Sequence, residues 1–284
     1  MTLKLEGMQR ILFPTDFSEN SWNAIVYALS FFKGQAMELH LLHLGLSGSV
    51  DSSADLHVQG ISVSFSDSSV QQRLMNFESR IDTNFPGHQH RIFLHFETCL
   101  FVEGIRKFVR KHDIDLIVMG TKGASGIKEV TLGSHAGAVI TRVKCSTLVI
   151  PEKAHYIVPE NIAFPTDFNI VYKSKVLQTL TGFASFHHSS IKVLRVARKR
   201  SGLGPEQVKN RDFLSDTLQG IPHSFHWIQS PELEQGLQEF IDSMKIDVVA
   251  MVGKNLNFFQ RLLFKPTIAK IGYHTEIPFL VLHE

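Results

Sequence analysis

Apolar residues along this chain form short continuous runs that alternate with stretches in which they recur every three or four positions. Short runs such as Asp115–Met119 are typical of strands buried on both faces, and the recurrent spacing is typical of amphipathic helices. Pro14 ends the first run because it lacks the N–H that a strand needs, and Ser18 is a good N-cap for the helix that follows. The pattern predicts strands at Arg10–Pro14, Glu38–Leu44, Arg91–Glu97, Asp115–Met119 and Thr147–Ile150, and helices after Ser18 and at Val70–Phe85, Phe101–His112 and Ser134–Val143.

The same pattern occurs twice. Three segments recur in the same order: Phe13–Phe17 as Phe164–Phe168, Asp115–Met119 as Asp247–Met251, and Ser146–Ile150 as Pro278–Leu282. Ordered matches of this kind indicate two copies of one domain, and we predict domains at 1–152 and 153–284. The first copy is longer, largely through the serine-rich and glycine-rich segment Gly45–Ser69, which predicts a surface connection.

Alternating strands and helices predict an α/β fold, in which each copy has a parallel sheet with helices on both faces. In such sheets, ligands bind at the carboxyl ends of the strands. Two motifs follow strands directly: Pro14-Thr15-Asp16, and Met119-Gly120 with the glycine-rich stretch after it. Both are therefore expected at the same edge of one sheet.

Composition narrows the class of function. The 284 residues are enough for two cores, and the net charge of +2 argues against a nucleic-acid surface. No apolar stretch reaches the roughly 20 residues of a membrane span. Two cysteines predict buried thiols in a reducing compartment, and hence the cytoplasm, rather than a disulfide framework. None of the 15 histidines has metal-ligand spacing, so we expect no metal site.

The glycine-rich stretch has the spacing Gly-x-x-Gly-x9-Gly-Ser, at Gly120, Gly123, Gly133 and Ser134. It fits neither a P-loop nor the dinucleotide fingerprint. Glycines before a helix start allow phosphate oxygens to approach backbone N–H groups and the positive end of the helix dipole. Together with the PTDFS start, the spacing resembles the universal stress protein family (UspA domain) in its tandem form.

The resemblance implies an open five-stranded parallel sheet in each copy, with a nucleotide-binding fold of the adenine nucleotide alpha hydrolase type. It implies ATP or another adenine nucleotide as ligand of the first copy, and leaves open whether Mg²⁺ accompanies it. Asp16 would accept from the adenine amino group beside Pro14 and Thr15, and Leu44 would contact the base. The ribose and phosphates would lie along Met119, Gly120, Lys122, Gly123, Gly133, Ser134 and His135. From the residues alone, Asp16 and Ser134 could instead cap their helices, although the context of the pair favours ligand binding.

The second copy departs from this spacing. Asn255, Lys265 and Pro266 stand where the first copy has Gly123, Gly133 and Ser134, although Asp167 matches Asp16. Proline has no N–H to offer a phosphate, and side chains in place of glycines would crowd it. We therefore expect no family-type ATP site in the second copy.

The resemblance favours a sensing or regulatory role in a stress response, without catalytic residues and with slow ATP hydrolysis at most. A nucleotide transferase or hydrolase is disfavoured because no glycine loop follows the first strand. The remaining alternative is an interaction scaffold or small-molecule-binding stress protein without nucleotide. The last strands of the two copies are expected to pair across a pseudo-twofold axis within the chain. The protein partner and any further homodimer are left open.

Overall fold

The computed structural model describes residues 10–45, 65–121, 134–199, 202–253 and 276–283. Strands and helices alternate as the apolar pattern predicts. The first copy contains β1 (Arg10–Pro14), α1 (Glu19–Phe31), β2 (Glu38–Gly45), α2 (Phe65–Asn84), β3 (Arg91–Thr98), α3 (Phe101–Lys111), β4 (Leu116–Gly120), α4 (Ser134–Arg142) and β5 (Ser146–Ile150). The second contains β6 (Asn161–Pro165), α5 (Ser174–His187), β7 (Ser190–Ala197), α6 (Pro205–Thr217), β8 (His223–Gln229), α7 (Leu233–Met244), β9 (Val248–Val252) and β10 (Phe279–Leu282).

All ten strands belong to one sheet, in the order β3-β2-β1-β4-β5-β10-β9-β6-β7-β8. Neighbours within each copy are parallel, whereas β5 and β10 pair antiparallel, with Leu148 opposite Leu280. The predicted five-stranded parallel sheets and the pairing of the two last strands are thus confirmed. The domain boundary after residue 152 stays a prediction.

Helices cover both faces of the sheet because successive strand side chains point to opposite faces. Ile11 and Phe13 of β1 pack in one core with α1, α2, α5 and α6, whereas Leu12 packs in the other with α3, α4 and α7. Each core runs through both copies of the domain. The predicted two-sided layering is therefore present along the whole ten-stranded sheet.

An aromatic seam joins the two copies on the α1 face; we use this name for Tyr27, Phe31, Tyr156, Phe183 and His187. The rings of Phe31 and Phe183 are stacked at 4.2 Å, and Tyr27 meets Tyr156 edge-on at 5.5 Å. His187 donates from Nε2 to the Phe31 carbonyl at 3.0 Å, near the end of α1. The seam therefore ties the end of the first helix of one copy to the first helix of the other.

Some boundaries differ from expectation. Helix α2 begins at Phe65 rather than Val70, inside the segment predicted as a connection; residues 46–64 of that segment lie outside the described residues. Cys145 is buried as expected, but Cys99 is only half-buried. None of the described helices is long and apolar enough to cross a membrane. No three His, Cys, Asp or Glu side chains in the described part of the chain are arranged to hold a metal ion.

Candidate functional site

The residues predicted to bind the nucleotide base and ribose lie at one edge of the first copy's sheet. Strands β2, β1 and β4 are neighbours, and they end near Leu44, at Pro14 and at Gly120. The first turn of α4, with Ser134 and His135, follows β4 through residues outside the described ranges. The residues outside the described ranges include Lys122, Gly123 and Gly133. Of Ser134, the structure describes the backbone and not the side chain. The structure therefore shows the base end of the candidate site and only the helix start at its phosphate end.

The turn after β1 is held by its own hydrogen bonds. Thr15 is buried; its N–H donates to the Leu42 carbonyl at 2.9 Å, and its hydroxyl accepts from the Phe17 N–H at 3.0 Å. The same hydroxyl lies 3.0 Å from the Ser21 hydroxyl, which donates to the Ser18 carbonyl at 2.8 Å. Thr15 therefore supports the turn through its side chain rather than presenting that side chain to a ligand.

Asp16 and Ser18 link the turn to the start of α1. One carboxylate oxygen of Asp16 accepts from the Ser18 N–H at 3.0 Å, and the Ser18 hydroxyl accepts from the Ser21 N–H at 3.1 Å. Ser18 is thus the predicted N-cap. Between them Phe17 has φ of 62°, a left-handed conformation that is unusual for a bulky residue and is found mainly at functional or strained positions. The hydrogen bonds of the turn thus fix Asp16 at the strand end.

Gly120 leaves space for the side chain of Asn20, a residue that the sequence analysis did not identify as a candidate. A Cβ at Gly120 would lie 2.6 Å from Nδ2 of Asn20, a buried residue in the first turn of α1. The Asn20 amide thus lies directly against the carboxyl end of β4. The resemblance implies that Gly120 lies along the ribose, whereas in the structure the close neighbour of Gly120 is the Asn20 side chain of α1.

Leu44 belongs to a tightly packed wall between β2 and α3. A Cβ at Gly104 would lie 2.5 Å from Sγ of Cys99 and 3.0 Å from Cδ2 of Leu44. Burial raises the pKa of the Cys99 thiol, so the side chain is a thiol rather than a thiolate near neutral pH. At the start of α3, the Phe101 ring stacks on His135 of α4 at 4.1 Å. The predicted site residues Leu44 and His135 thus have neighbours that motif spacing could not identify. These neighbours are Cys99, Phe101 and Gly104.

Charged and aromatic side chains surround the turn on its outer side. Arg73 of α2 lies over the Phe17 ring, with its Cζ 4.1 Å from the centroid. Arg80 donates to both carboxylate oxygens of Glu19 at 3.0 and 3.1 Å, which lowers the pKa of that carboxyl. His43 donates from Nδ1 to the Thr15 carbonyl at 2.8 Å. Helix α2 and strand β2 therefore brace the turn that carries Asp16.

Comparison with known proteins identifies the family of the chain. The family model described as the universal stress protein family matches residues 7–151, which is half of the chain. The chain belongs to the universal stress protein family. A universal stress protein of Methanocaldococcus jannaschii is 26% identical over 156 residues, which cover 51% of this chain and 96% of that protein.

The fold also matches solved structures along its whole length. A universal stress protein from Archaeoglobus fulgidus aligns with a TM-score of 0.61 at 16% identity, covering 96% of this chain and 98% of that one. A structure described as a putative universal stress protein from Pseudomonas aeruginosa aligns with a TM-score of 0.59 at 12% identity, covering 98% and 94%. At these identities the likeness concerns the fold, and it extends through both copies.

The second copy has the same turn with different surroundings. Its Thr166 hydroxyl accepts from the Phe168 N–H at 3.0 Å, and Phe168 has φ of 59°. The Thr166 hydroxyl bonds to Tyr172, which takes the place of Ser21. Helix α5 begins only at Ser174, so the helical turn that carries Asn20 in the first copy has no counterpart beside β9.

Asp167, the counterpart of Asp16, is surrounded by polar neighbours. Its two carboxylate oxygens accept from the backbone N–H and the side-chain amide of Asn169, each at 2.9 Å. Gln207 of α6 donates to the Asp167 carbonyl at 2.8 Å, and the buried Arg195 stacks on Trp227 with its Cζ 3.8 Å from the centroid. The positions Asn255, Lys265 and Pro266 lie outside the described residues. The base end of the second copy therefore differs from that of the first.

Proposed function

We propose that the first copy binds ATP or another adenine nucleotide, one per chain, and that the protein serves as a sensor or regulator in a stress response. The main support is the convergence of Asp16, Leu44 and Met119-Gly120 at the ends of three adjacent strands, with the start of α4 following β4. Asp16 would accept from the adenine amino group, and Leu44 would contact the base. The loop from Lys122 through Gly123 to Gly133, with Ser134 and His135, would surround the phosphates through backbone N–H groups.

The proposed role is binding rather than catalysis. Phosphoryl transfer needs placed metal ligands, cationic stabilisers and a positioned nucleophile. Near the proposed phosphate position, the candidates are Lys122, Ser134 and His135, and the His135 ring stacks on Phe101. We therefore expect slow ATP hydrolysis at most. The expected setting is the cytoplasm, with a protein partner that responds to the bound state.

The second copy is proposed not to bind nucleotide in the family manner. Asp167 already accepts two hydrogen bonds from Asn169. Its negative charge also interacts with the Arg195 guanidinium. Its glycine positions are replaced by Asn255 and Lys265. One competent and one altered site per chain is therefore the expected stoichiometry.

An ATP titration of the wild type and of a Gly133→Lys, Ser134→Pro variant tests the proposal. The variant carries the second copy's residues in the first copy, so it removes an N–H donor and fills the space of a glycine. We expect about one ATP per wild-type chain, with or without Mg²⁺, and binding weakened at least about a hundredfold in the variant, because several phosphate hydrogen bonds are lost. Isothermal titration calorimetry measures both values.

The matched control is Lys265→Gly, Pro266→Ser, which changes the equivalent positions of the second copy. It should leave the affinity of the first site unchanged. Mass spectrometry of the gently purified protein identifies any nucleotide that is carried along. A wild type that binds no adenine nucleotide would overturn the proposal and favour the interaction scaffold.

A further inference from the structure

Three histidines that are far apart in sequence meet beside α3. His40 lies on β2, His95 on β3, and His112 follows the last residue of α3. Their ring centroids form a nearly equilateral triangle, with separations of 5.2 Å for His40–His95, 5.4 Å for His40–His112 and 5.3 Å for His95–His112. We call these three residues the histidine cluster.

The hydrogen bonds of the cluster suit uncharged rings. Nδ1 of His40 and Nε2 of His95 are 3.0 Å apart, so one of them must donate and the other accept. If both rings carried a second proton, both nitrogens would be donors and the bond would be lost. The Nε2 atoms of His40 and His112 are buried without a hydrogen-bond partner among the described residues. An added proton on Nε2 of His40 would therefore be buried without a hydrogen-bond acceptor, which is costly.

Charged groups around the cluster do not offset this cost. Glu38 lies 3.9 Å from Nε2 of His40, but the same carboxylate already pairs with Arg10 at 3.2 Å and with Arg91. Arg10 also lies 3.5 Å from Asp113, the residue after His112. Glu97 and Lys111 are the charged groups that act on His95, with opposite signs.

The electrostatic consequence has a definite direction. Burial first, and then the neighbouring histidines, lower the pKa of His40 to about 4, and burial with His112 lowers the pKa of His95. The folded state therefore binds fewer protons than the unfolded state between about pH 6.5 and pH 4. Stability that is present above this window is lost as the pH falls through it.

Helix α3 connects the histidine cluster to the candidate nucleotide site. Near its end, Phe108 stacks on His112 at 4.1 Å and contacts His95 at 4.7 Å. Near its start, Gly104 packs on Leu44, and Phe101 stacks on His135. Loss of packing at one end of this 11-residue helix would therefore disturb the wall of the site at the other.

We propose that the histidine cluster is a proton-sensitive latch that holds α3 against β2 and β3, and that its protonation below neutral pH releases α3. A consequence, which rests on the proposed function, is that the first copy loses nucleotide on acidification because the Leu44 wall opens. Protons, rather than a metal ion, are the proposed ligand, because the three side chains do not have ligand geometry.

Hydrogen exchange of the α3 amides tests the latch without any nucleotide. Protection factors, corrected for intrinsic exchange, are measured from pH 7.5 to 5.0 in the wild type and in His40→Phe. Phenylalanine keeps the ring contacts with Phe93 and Phe108 but cannot bind a proton. In the wild type, we expect α3 protection to fall by up to about tenfold per pH unit below about 6.5 for each proton taken up. In His40→Phe the fall should be clearly smaller.

The second copy supplies the matched control. His226 occupies the position equivalent to His95 and contacts Phe240 at 5.1 Å, but its Nε2 is 2.7 Å from the Ser224 hydroxyl. Lys192 and Met244 stand in place of the other two histidines. His226→Phe should therefore leave the pH dependence of α3 unchanged. His112→Phe, at the end of the helix, is the second test variant if His40→Phe does not fold.

Several outcomes would overturn the latch. These are an equal pH dependence in the wild type and in both cluster variants, an effect of His226→Phe as large as that of His40→Phe, or a loss of α3 protection on adding EDTA at pH 7.5. The last would show a bound metal. ATP affinity at pH 7.5 and 5.5 is measured separately. A wild type that fails to bind ATP at pH 7.5 contradicts the proposed function but leaves the exchange result intact.

Discussion

Gly120 has no Cβ, whereas any other residue at this position would place a Cβ against the Asn20 amide. A Cβ there would lie 2.6 to 2.8 Å from three atoms of that side chain, closer than real contacts allow. The second copy tolerates Val252 at the equivalent position, because Val171, the counterpart of Asn20, is exposed and lies before the start of α5. Gly120 therefore leaves room for the Asn20 amide against the end of β4, and a side chain at this position would have to displace that amide.

We predict that Gly120→Ala lowers the free energy of unfolding by about 1–3 kcal/mol, the usual cost of overpacking a buried site. Gly202→Ala is the control, because no atom lies within 4 Å of a Cβ placed there. Urea denaturation measures both, and the control should change by no more than about 0.5 kcal/mol. Adding Asn20→Ala to Gly120→Ala should recover part of the loss. Equal values for the two alanine variants would contradict the packing argument.

At the scale of elements, the first helices of the two copies begin differently although the same five residues precede them. Ser18 caps α1 with its hydroxyl, whereas Lys173 at the start of α5 makes no side-chain cap hydrogen bond. In the second copy, the Asn169 side chain bonds to Asp167, and Tyr172 bonds to Thr166. Local side-chain hydrogen bonds, between residues two and six positions apart, thus stand where the first copy has a helical turn, so the repeated motif is not followed by a repeated helix start.

We predict that Ser18→Ala destabilises the protein by about 1 kcal/mol, the typical value of an N-cap. Lys173→Ala, at the corresponding position of α5, should change stability by less than about 0.5 kcal/mol. Thermal unfolding at matched concentrations gives both differences. If Lys173→Ala proved as costly as Ser18→Ala, the cap would not be the source of the effect.

Sequence periodicity predicted the strands well because buried parallel strands have nearly continuous apolar runs. The pairing of β5 with β10 was implied by the resemblance to the family, whose single domains commonly dimerise, and not by periodicity. Periodicity did not identify Asn20, because the role of this residue depends on how α1 lies over β4. It did not identify the histidine cluster either. His40, His95 and His112 are more than 15 residues apart and come from two strands and a helix end. The register of β2 with β3 pairs His40 with Phe93 and Leu42 with His95. The two histidines therefore lie diagonally opposite each other on the same face of the sheet.

On the scale of the whole molecule, the antiparallel β5–β10 pair and the aromatic seam join the two copies. The five strands of each copy form one continuous sheet, and the hydrophobic core on each face of that sheet runs through both copies. Asn23 of α1 strengthens the junction by donating to the carbonyls of Pro151 at 3.3 Å and Ala154 at 3.1 Å, just after β5. Such a junction should make the two copies unfold together, because exposing it would uncover large apolar surfaces. The chain offers a direct probe, since Trp22 lies in the first copy and Trp227 in the second.

We predict that the wild type shows one unfolding transition when the two tryptophans are followed separately, in Trp22→Phe and Trp227→Phe backgrounds. Phe183→Ala should cost about 3–5 kcal/mol and separate the two transitions, because it removes the ring that stacks on Phe31. Phe240→Ala removes a similarly buried ring from the α7 face of the second copy, away from the seam. It should lower the midpoint for both probes together. Separate transitions already in the wild type would show that the seam holds the copies side by side without coupling their stability.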